Sequence, residues 1–448
     1  MSSLYKYLAR LLVALLVCSA LTVLAGLLNV TYTYPDILSD CTIVLGSGNF
    51  TNIENAPSNS TVCLIPGEYQ VKALDIANKS LTIRGLGSNP GDVRIVLTEG
   101  SLKLAPRGNE TIVLRDLSVE SLTNSSAIQI YYPGGASAGR GREAGRGGGV
   151  VYDIGGVILD NLLVNATKAI ATSVQVGPQI KLRSFELRNS VILAGDTGVQ
   201  IGPDSSVTGV IVIDNNTIRA NNIGIQVGPG TYVAAYLRIS RNNITAGSIG
   251  VQVGPPPRAN KAPPVIGILE VISNSIASNT SNVLEIRSFI RYNASIYLNK
   301  FIGDGSNVTI RIDTALVNTS VVFFNTPNET NYTCRGIPSL SYLGNYYVDW
   351  TQPDNDSNCI VDIPRPITSG LVDAFPLTTD PSSLSRYSNM SPLVLEVLLE
   401  ELIGAEGISA VVMGGSILVD YSAVSYSLIV VGLTLLAIGE LARRTRLR

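Results

Sequence analysis

No histidine occurs anywhere in the 448 residues. That single absence excludes Ser-His-Asp and Cys-His catalysis, His-ligated zinc and imidazole copper sites. Charge is also sparse. Only 15% of residues are charged and the net charge is −2, so the chain lacks the electrostatic footprint of a nucleic-acid binder. Apolar residues make up 45%, which excludes disorder and fits a β-rich protein with membrane segments. The length allows two or three ordinary domains or one extended solenoid.

What is present is a repeat. The phrase reads TSVQVGP at 172–178, TGVQIGP at 197–203, IGIQVGP at 223–229 and IGVQVGP at 249–255. Its glutamines are Gln175, Gln200, Gln226 and Gln252, at steps of 25, 26 and 26 residues. Short β-branched strands at that period, each closed by Gly-Pro, signal a stacked solenoid. Val199 and Ile201 point to one side and Gln200 to the other. Pro203 cannot donate to a ladder, so the strand ends there. A second column places asparagine before an apolar pair: LDNLLVN, LRNSVIL, DNNTIRA, RNNITAG, SNSIASN and LNKFIGD, between 159 and 304. Asparagines at an inward corner can form a ladder with backbone groups and with each other. The register is open by one residue at Asn215/Asn216 and Asn242/Asn243.

The expected class is all-β, with a β-helix over 61–330 between an N-terminal cap region (29–60) and a C-terminal cap (331–390). Residues 133–149, PGGASAGRGREAGRGGG, form a flexible Gly/Arg excursion that no packed core can use. Residues 11–28 are uncharged and apolar behind Lys6 and Arg10, which reads as a signal peptide or signal anchor within 1–28. Residues 391–420 read as an amphipathic juxtamembrane segment and 421–439 as a transmembrane helix. The arginine-rich tail 440–448 places the C-terminus in the cytoplasm and the body outside the plasma membrane.

Two further features point outward. Between the apolar runs lie 17 N-x-S/T sequons, from Asn29 to Asn389. Apart from Cys18, the cysteines form two local pairs, Cys41 with Cys63 and Cys334 with Cys359, which read as disulfides in an oxidising compartment.

At this point the residues carry a family resemblance. The N-x-Φ corner followed by G-I-x-V resembles the repeat of pectin-lyase-like proteins. PGEY followed by KSLTIRG is similar to that superfamily's first turns, and GNYYVDWTQPDNDSNCIVDIP…FPL resembles the end motif of NosD-like proteins with CASH (carbohydrate-binding and sugar hydrolase) domains. The resemblance spans roughly residues 60–380. It implies a right-handed parallel β-helix on secreted or membrane-anchored proteins that meet polysaccharide. The departures are functional. Polygalacturonase-like and mannuronan-epimerase-like relatives use histidine motifs, and the calcium-aspartate cluster with an arginine base of pectate lyases is not legible here. The copper-maturation role of some NosD-like proteins fits poorly with three methionines and no histidine.

The candidate residues follow. Gln175, Gln200, Gln226 and Gln252 form an outward amide column, a candidate glycan-binding face or a purely structural ladder. Asp354, Asp356, Asn358 and Asp362 occupy positions 1, 3, 5 and 9 of a calcium-type loop, with Ile360 at 7. Position 6 is Cys359 instead of glycine, position 12 is Arg365 instead of glutamate, and a Cys334–Cys359 disulfide fixes the same turn without metal. Trp350, Tyr346 and Tyr347 either stack on sugar or cap the solenoid core. Glu186, Asp196, Asp204, Asp214 and Glu270 are candidate acids for glycoside chemistry, which needs a carboxylate pair. The expectation is a membrane-anchored surface protein that recognises polysaccharide or builds envelope. The alternatives are a histidine-free lyase or hydrolase and an envelope maturation factor.

Overall fold

Alternating Ile and Val punctuated by Gly-Pro and Asn-Asn dictates short parallel strands joined by tight corners, and the computed structural model is built of these. It describes residues 40–131, 152–254 and 263–386, apart from 281, 306 and 369. One coil shows the plan: strands Val210–Asp214, Thr217–Ala220 and Ile223–Val227. The next coil repeats it with Tyr232–Ser240, Asn243–Ala246 and Ile249–Val253. Each strand pairs in parallel with its successor, Ile211 against Leu237, Ile218 against Ile244 and Ile225 against Val251. The stack therefore has three faces, here called the long-strand, short-strand and glutamine faces. Within the coil Ile211, Ile213, Ile218, Ile225 and Val227 are fully buried. Each contributes about 1.5–3 kcal/mol of apolar burial, so every coil carries its own layer of core.

The two glycines of the repeated phrase are coil-to-coil contacts. A Cβ on Gly224 would lie 2.5 Å from the Gly250 carbonyl oxygen and 2.4 Å from Ile244 Cγ2. One on Gly202 would lie 2.6 Å from the Val176 carbonyl oxygen. Neighbouring coils approach too closely at these positions for any side chain.

The corner between the long-strand and short-strand faces is a dipeptide. Its first residue is left-handed, as at Asn215 (φ 55°), where it is also exposed, and its second turns inward. The inward residues Asn216, Asn242, Asn274, Asn299 and Asn345 form the ladder, each side-chain oxygen accepting from the residue one coil earlier at 2.9–3.0 Å. Each Nδ2 also reaches a backbone carbonyl, Leu187 and Ile213 among them. The ladder ends on Asp373, whose Oδ2 accepts from Asn345 N and Nδ2.

Parallel pairing begins with Ile43–Leu45 against Ser60–Leu64, inside the expected cap region. The 3-10 turn Ser47–Asn55 lays Phe50 and Ile53 on the core end, Phe50 against Tyr69. At the other end the chain turns to antiparallel hairpins, Thr330–Cys334 with Ile337–Ser341 and Arg365–Thr368 with Leu371–Asp373. Both disulfides form, Cys41–Cys63 at the first coil and Cys334–Cys359 in the last cap.

The expectation of an all-β solenoid carrying a C-terminal transmembrane helix is corrected on its second half. Among the described residues no helix is long and apolar enough to cross a membrane. The helical pieces are 3-10 turns of three to nine residues, far short of the roughly 20 residues a span needs. The signal segment 1–28, the Gly/Arg stretch 133–149 and residues 391–448, the expected span 421–439 included, lie outside the described residues.

Candidate functional site

The glutamine face is a sheet of nine described strands in strict sequence order, from Leu74–Ala77 to Thr309–Ile312. One outward position runs the whole way, the last pairing carrying a register shift between Asn282 and Leu284. It reads Asp75, Lys103, Gln129, Gln175, Gln200, Gln226, Gln252, Glu285 and Arg311. The four expected glutamines are thus brought together, and a fifth, Gln129, joins them. Sequence spacing hid it, because 46 residues separate it from Gln175.

All the amides point one way along the stack. Gln129 Nε2 donates to Gln175 Oε1 at 3.4 Å, Gln175 to Gln200 at 2.9 Å, Gln200 to Gln226 at 2.7 Å and Gln226 to Gln252 at 2.8 Å. Gln252 then donates to Glu285 Oε2 at 2.9 Å. The chain of dipoles delivers its positive ends toward a carboxylate, and Glu285 in turn accepts from Arg311 at 3.0 Å, with Arg287 at 3.6 Å. At the opposite end Lys103 lies over the Tyr131 ring and the Tyr131 hydroxyl donates to Asp75. Burial, then the Asp75 carboxylate, push the Tyr131 hydroxyl pKa upward. Gln129, Gln175, Gln200 and Gln226 are half-buried, whereas Gln252 is 4% exposed and Glu285 3%. An amide has two N–H groups and two acceptor lone pairs. Gln200 and Gln226 each use one of each along the chain and so keep one donor and one acceptor for a partner, whereas Gln175 Oε1 also accepts from Ser126 Oγ at 3.0 Å.

The candidate acids do not converge. Glu186, Asp214 and Glu270 lie on the outer side of the long-strand face, and Asp196 and Asp204 lie at turns. Each of these three meets an arginine: Glu186 with Arg188, Asp214 with Arg241, Glu270 with Arg238. Burial opposes ionisation of Asp214, but Arg241 and the Ser240 hydroxyl outweigh it and hold the carboxyl below its usual range. Tyr236 Oη donates to Glu270 Oε2 at 2.5 Å, and burial followed by that carboxylate raises the phenol's pKa. These are neutralised pairs; a glycosidase acid needs a raised pKa next to a free carboxylate. The groove of about 320 Å³ on the short-strand face is lined by Arg219, Asn221, Thr245 and Asn279 among others, with no Asp or Glu.

The calcium-type residues come together as a turn. Asp354 accepts from the backbone N–H groups of Asn358 and Cys359, both at 3.0 Å, and Asp356 from Asn358 Nδ2 at 2.8 Å. Asn358 Oδ1 accepts from Ile360 N, and Asp362 from Asn355 N. The oxygens face their own backbone, and they stabilise left-handed conformations at Ser357 (φ 59°) and Cys359 (φ 67°). Among the described residues no group of three or more His, Cys, Asp or Glu is placed to hold a metal ion. The aromatic residues sit at the core end: Tyr347 is fully buried and stacked on Phe301, Tyr346 and Trp350 are half-buried, and Arg365 lies over Tyr347 and Trp350.

No family model matches the chain, and no curated protein does. Among solved structures it is similar to ORF18 of Geobacillus virus E2, at 11% identity and a TM-score of 0.23. That match covers 67% of this chain and 63% of the viral protein, so the chain spans less than two thirds of that relative's length. What the chain shares with β-helix proteins is the large parallel-strand solenoid itself.

Proposed function

We propose that the coil stack is an extracytoplasmic, pectin-lyase-like recognition module that binds a polysaccharide across its glutamine face. The carrying observation is the in-register row of five amides, in which half-buried Gln200 and Gln226 each keep an uncommitted N–H and lone pair. Coils stack about 4.8 Å apart, so the row offers a regular donor–acceptor array to the hydroxyls of an extended sugar chain. The two disulfides support a location outside a reducing cytoplasm. The arginine-paired acids give the lyase and hydrolase alternatives no comparable support.

The test is a glycan array probed with the purified protein and with the Q200A/Q226A double variant. Binding to at least one polysaccharide is expected, weakened tenfold or more in the variant while its far-ultraviolet circular dichroism stays unchanged. Failure to bind any glycan overturns the reading, and so does undiminished binding by the variant.

A further inference from the structure

The ladder divides the asparagines into two chemical classes. In a strand, residues i and i+2 share a face, so the Asn and Ser/Thr of a sequon point the same way. Two residues after Asn216, Asn242, Asn274, Asn299 and Asn345 stand Ile218, Ile244, Ile276, Phe301 and Tyr347, all fully buried. A ladder asparagine is therefore barred from being a sequon by the core itself. One residue out of that phase the asparagine is exposed: Asn215, followed by half-buried Thr217, and Asn243, followed by exposed Thr245.

We infer that Asn215 and Asn243 are N-glycosylation sites, together with the other sequon asparagines that the fold leaves exposed, such as Asn59, Asn78 and Asn109. Covalent sugar is bulky and hydrated and needs a surface position. The transfer forms a bond from Asn Nδ2 to the first sugar's anomeric carbon. It breaks the bond from that carbon to the phosphate of a lipid-linked oligosaccharide donor, and one Nδ2 proton leaves to a base of the transferase. At Asn215 the fold tolerates this without loss. Its Nδ2 donates one hydrogen to Asn189 Oδ1 at 2.8 Å, and the glycosylated amide still has one N–H. Asn165 and Asn293 are the contrast. Both are half-buried; Asn165 has a buried Oδ1, and Asn293 Nδ2 donates to Ser295 Oγ, the hydroxyl of its own sequon, at 3.2 Å. Ser295 is itself 8% exposed. These two sequons stay unmodified.

The experiment is intact-glycopeptide mass spectrometry on the full chain made in the organism that encodes it, with T217A, T245A and T245S variants. Sugar is expected on Asn215 and Asn243. T217A removes it from Asn215, T245A removes it from Asn243, and T245S keeps it. Unmodified Asn215 and Asn243 in the parent chain overturn the proposal. Sugar that persists in T217A or T245A, or that appears on Asn165 or Asn293, does the same. The result is independent of the glycan array, since it reads what the chain carries and not what it binds.

Discussion

A single carboxyl closes the asparagine ladder, and its surroundings set a pH dependence. Asp373 is fully buried and takes four donors: Asn345 N, Asn345 Nδ2 and Tyr347 Oη on one oxygen and Phe375 N on the other. Burial dominates over those donors and raises its pKa from 3.8 to about 6. A carboxyl whose folded pKa is raised contributes stability that is present in full below the unfolded value and disappears as pH rises through the folded one. At 1.36 kcal/mol per unit the loss between pH 3.8 and 6 is about 3 kcal/mol. Denaturant unfolding at pH 4 and pH 6.5 checks it. The stability of the parent chain minus that of D373N should fall by that order across the window, and a flat difference contradicts the assignment. Exposed acids elsewhere cancel in the difference, because both proteins share them.

At the scale of the element, the glutamine column is a directed chain with unequal links. A half-buried amide such as Gln226 loses one donated and one accepted bond on truncation, and water can replace both, so Q226A costs about 1 kcal/mol. Glu285 is the buried terminus that Gln252, Arg311 and Arg287 all address. E285A leaves buried donors without an acceptor and should cost on the order of 3 kcal/mol. Thermal or urea denaturation that ranks the two variants in the reverse order would show that the column is not terminated there. This element also shows what was legible beforehand. The period of the Gln phrase and its alternation gave the coil, the outward amides and the parallel sheet, because periodicity and burial are properties of consecutive residues. Gln129 and the Glu285–Arg311 ending were not legible. They join the column only across irregular insertions, and pairing over such gaps is set by stacking, not by spacing. The one-residue ambiguity at Asn215/Asn216 had the same origin. Both residues suit a corner, and only the neighbouring coil decides that Asn216 turns inward while Asn215 adopts the left-handed conformation. The calcium-type loop shows a related point: alternating oxygens that suit a metal also suit backbone N–H groups in a tight turn.

For the coil stack as a whole, stability is close to a sum of coil terms and neighbour terms, so a coil with a neighbour on only one side is the first to open. Cys41–Cys63 ties the first coil and Cys334–Cys359 ties the last cap, with loops of 22 and 25 residues. Loop closure of that size removes enough unfolded-state entropy to stabilise by about 3 kcal/mol per bridge. The ends therefore hold by covalent closure where the middle holds by stacking. Hydrogen exchange after mild reduction separates the two. Amides of Ser60–Leu64 and Thr330–Cys334 should lose protection first, while those of Thr197–Ile201 and Ile223–Val227 keep theirs until the whole stack melts. Simultaneous loss at both ends and in the middle would mean that the coils melt as one unit and that the bridges do not guard separate ends.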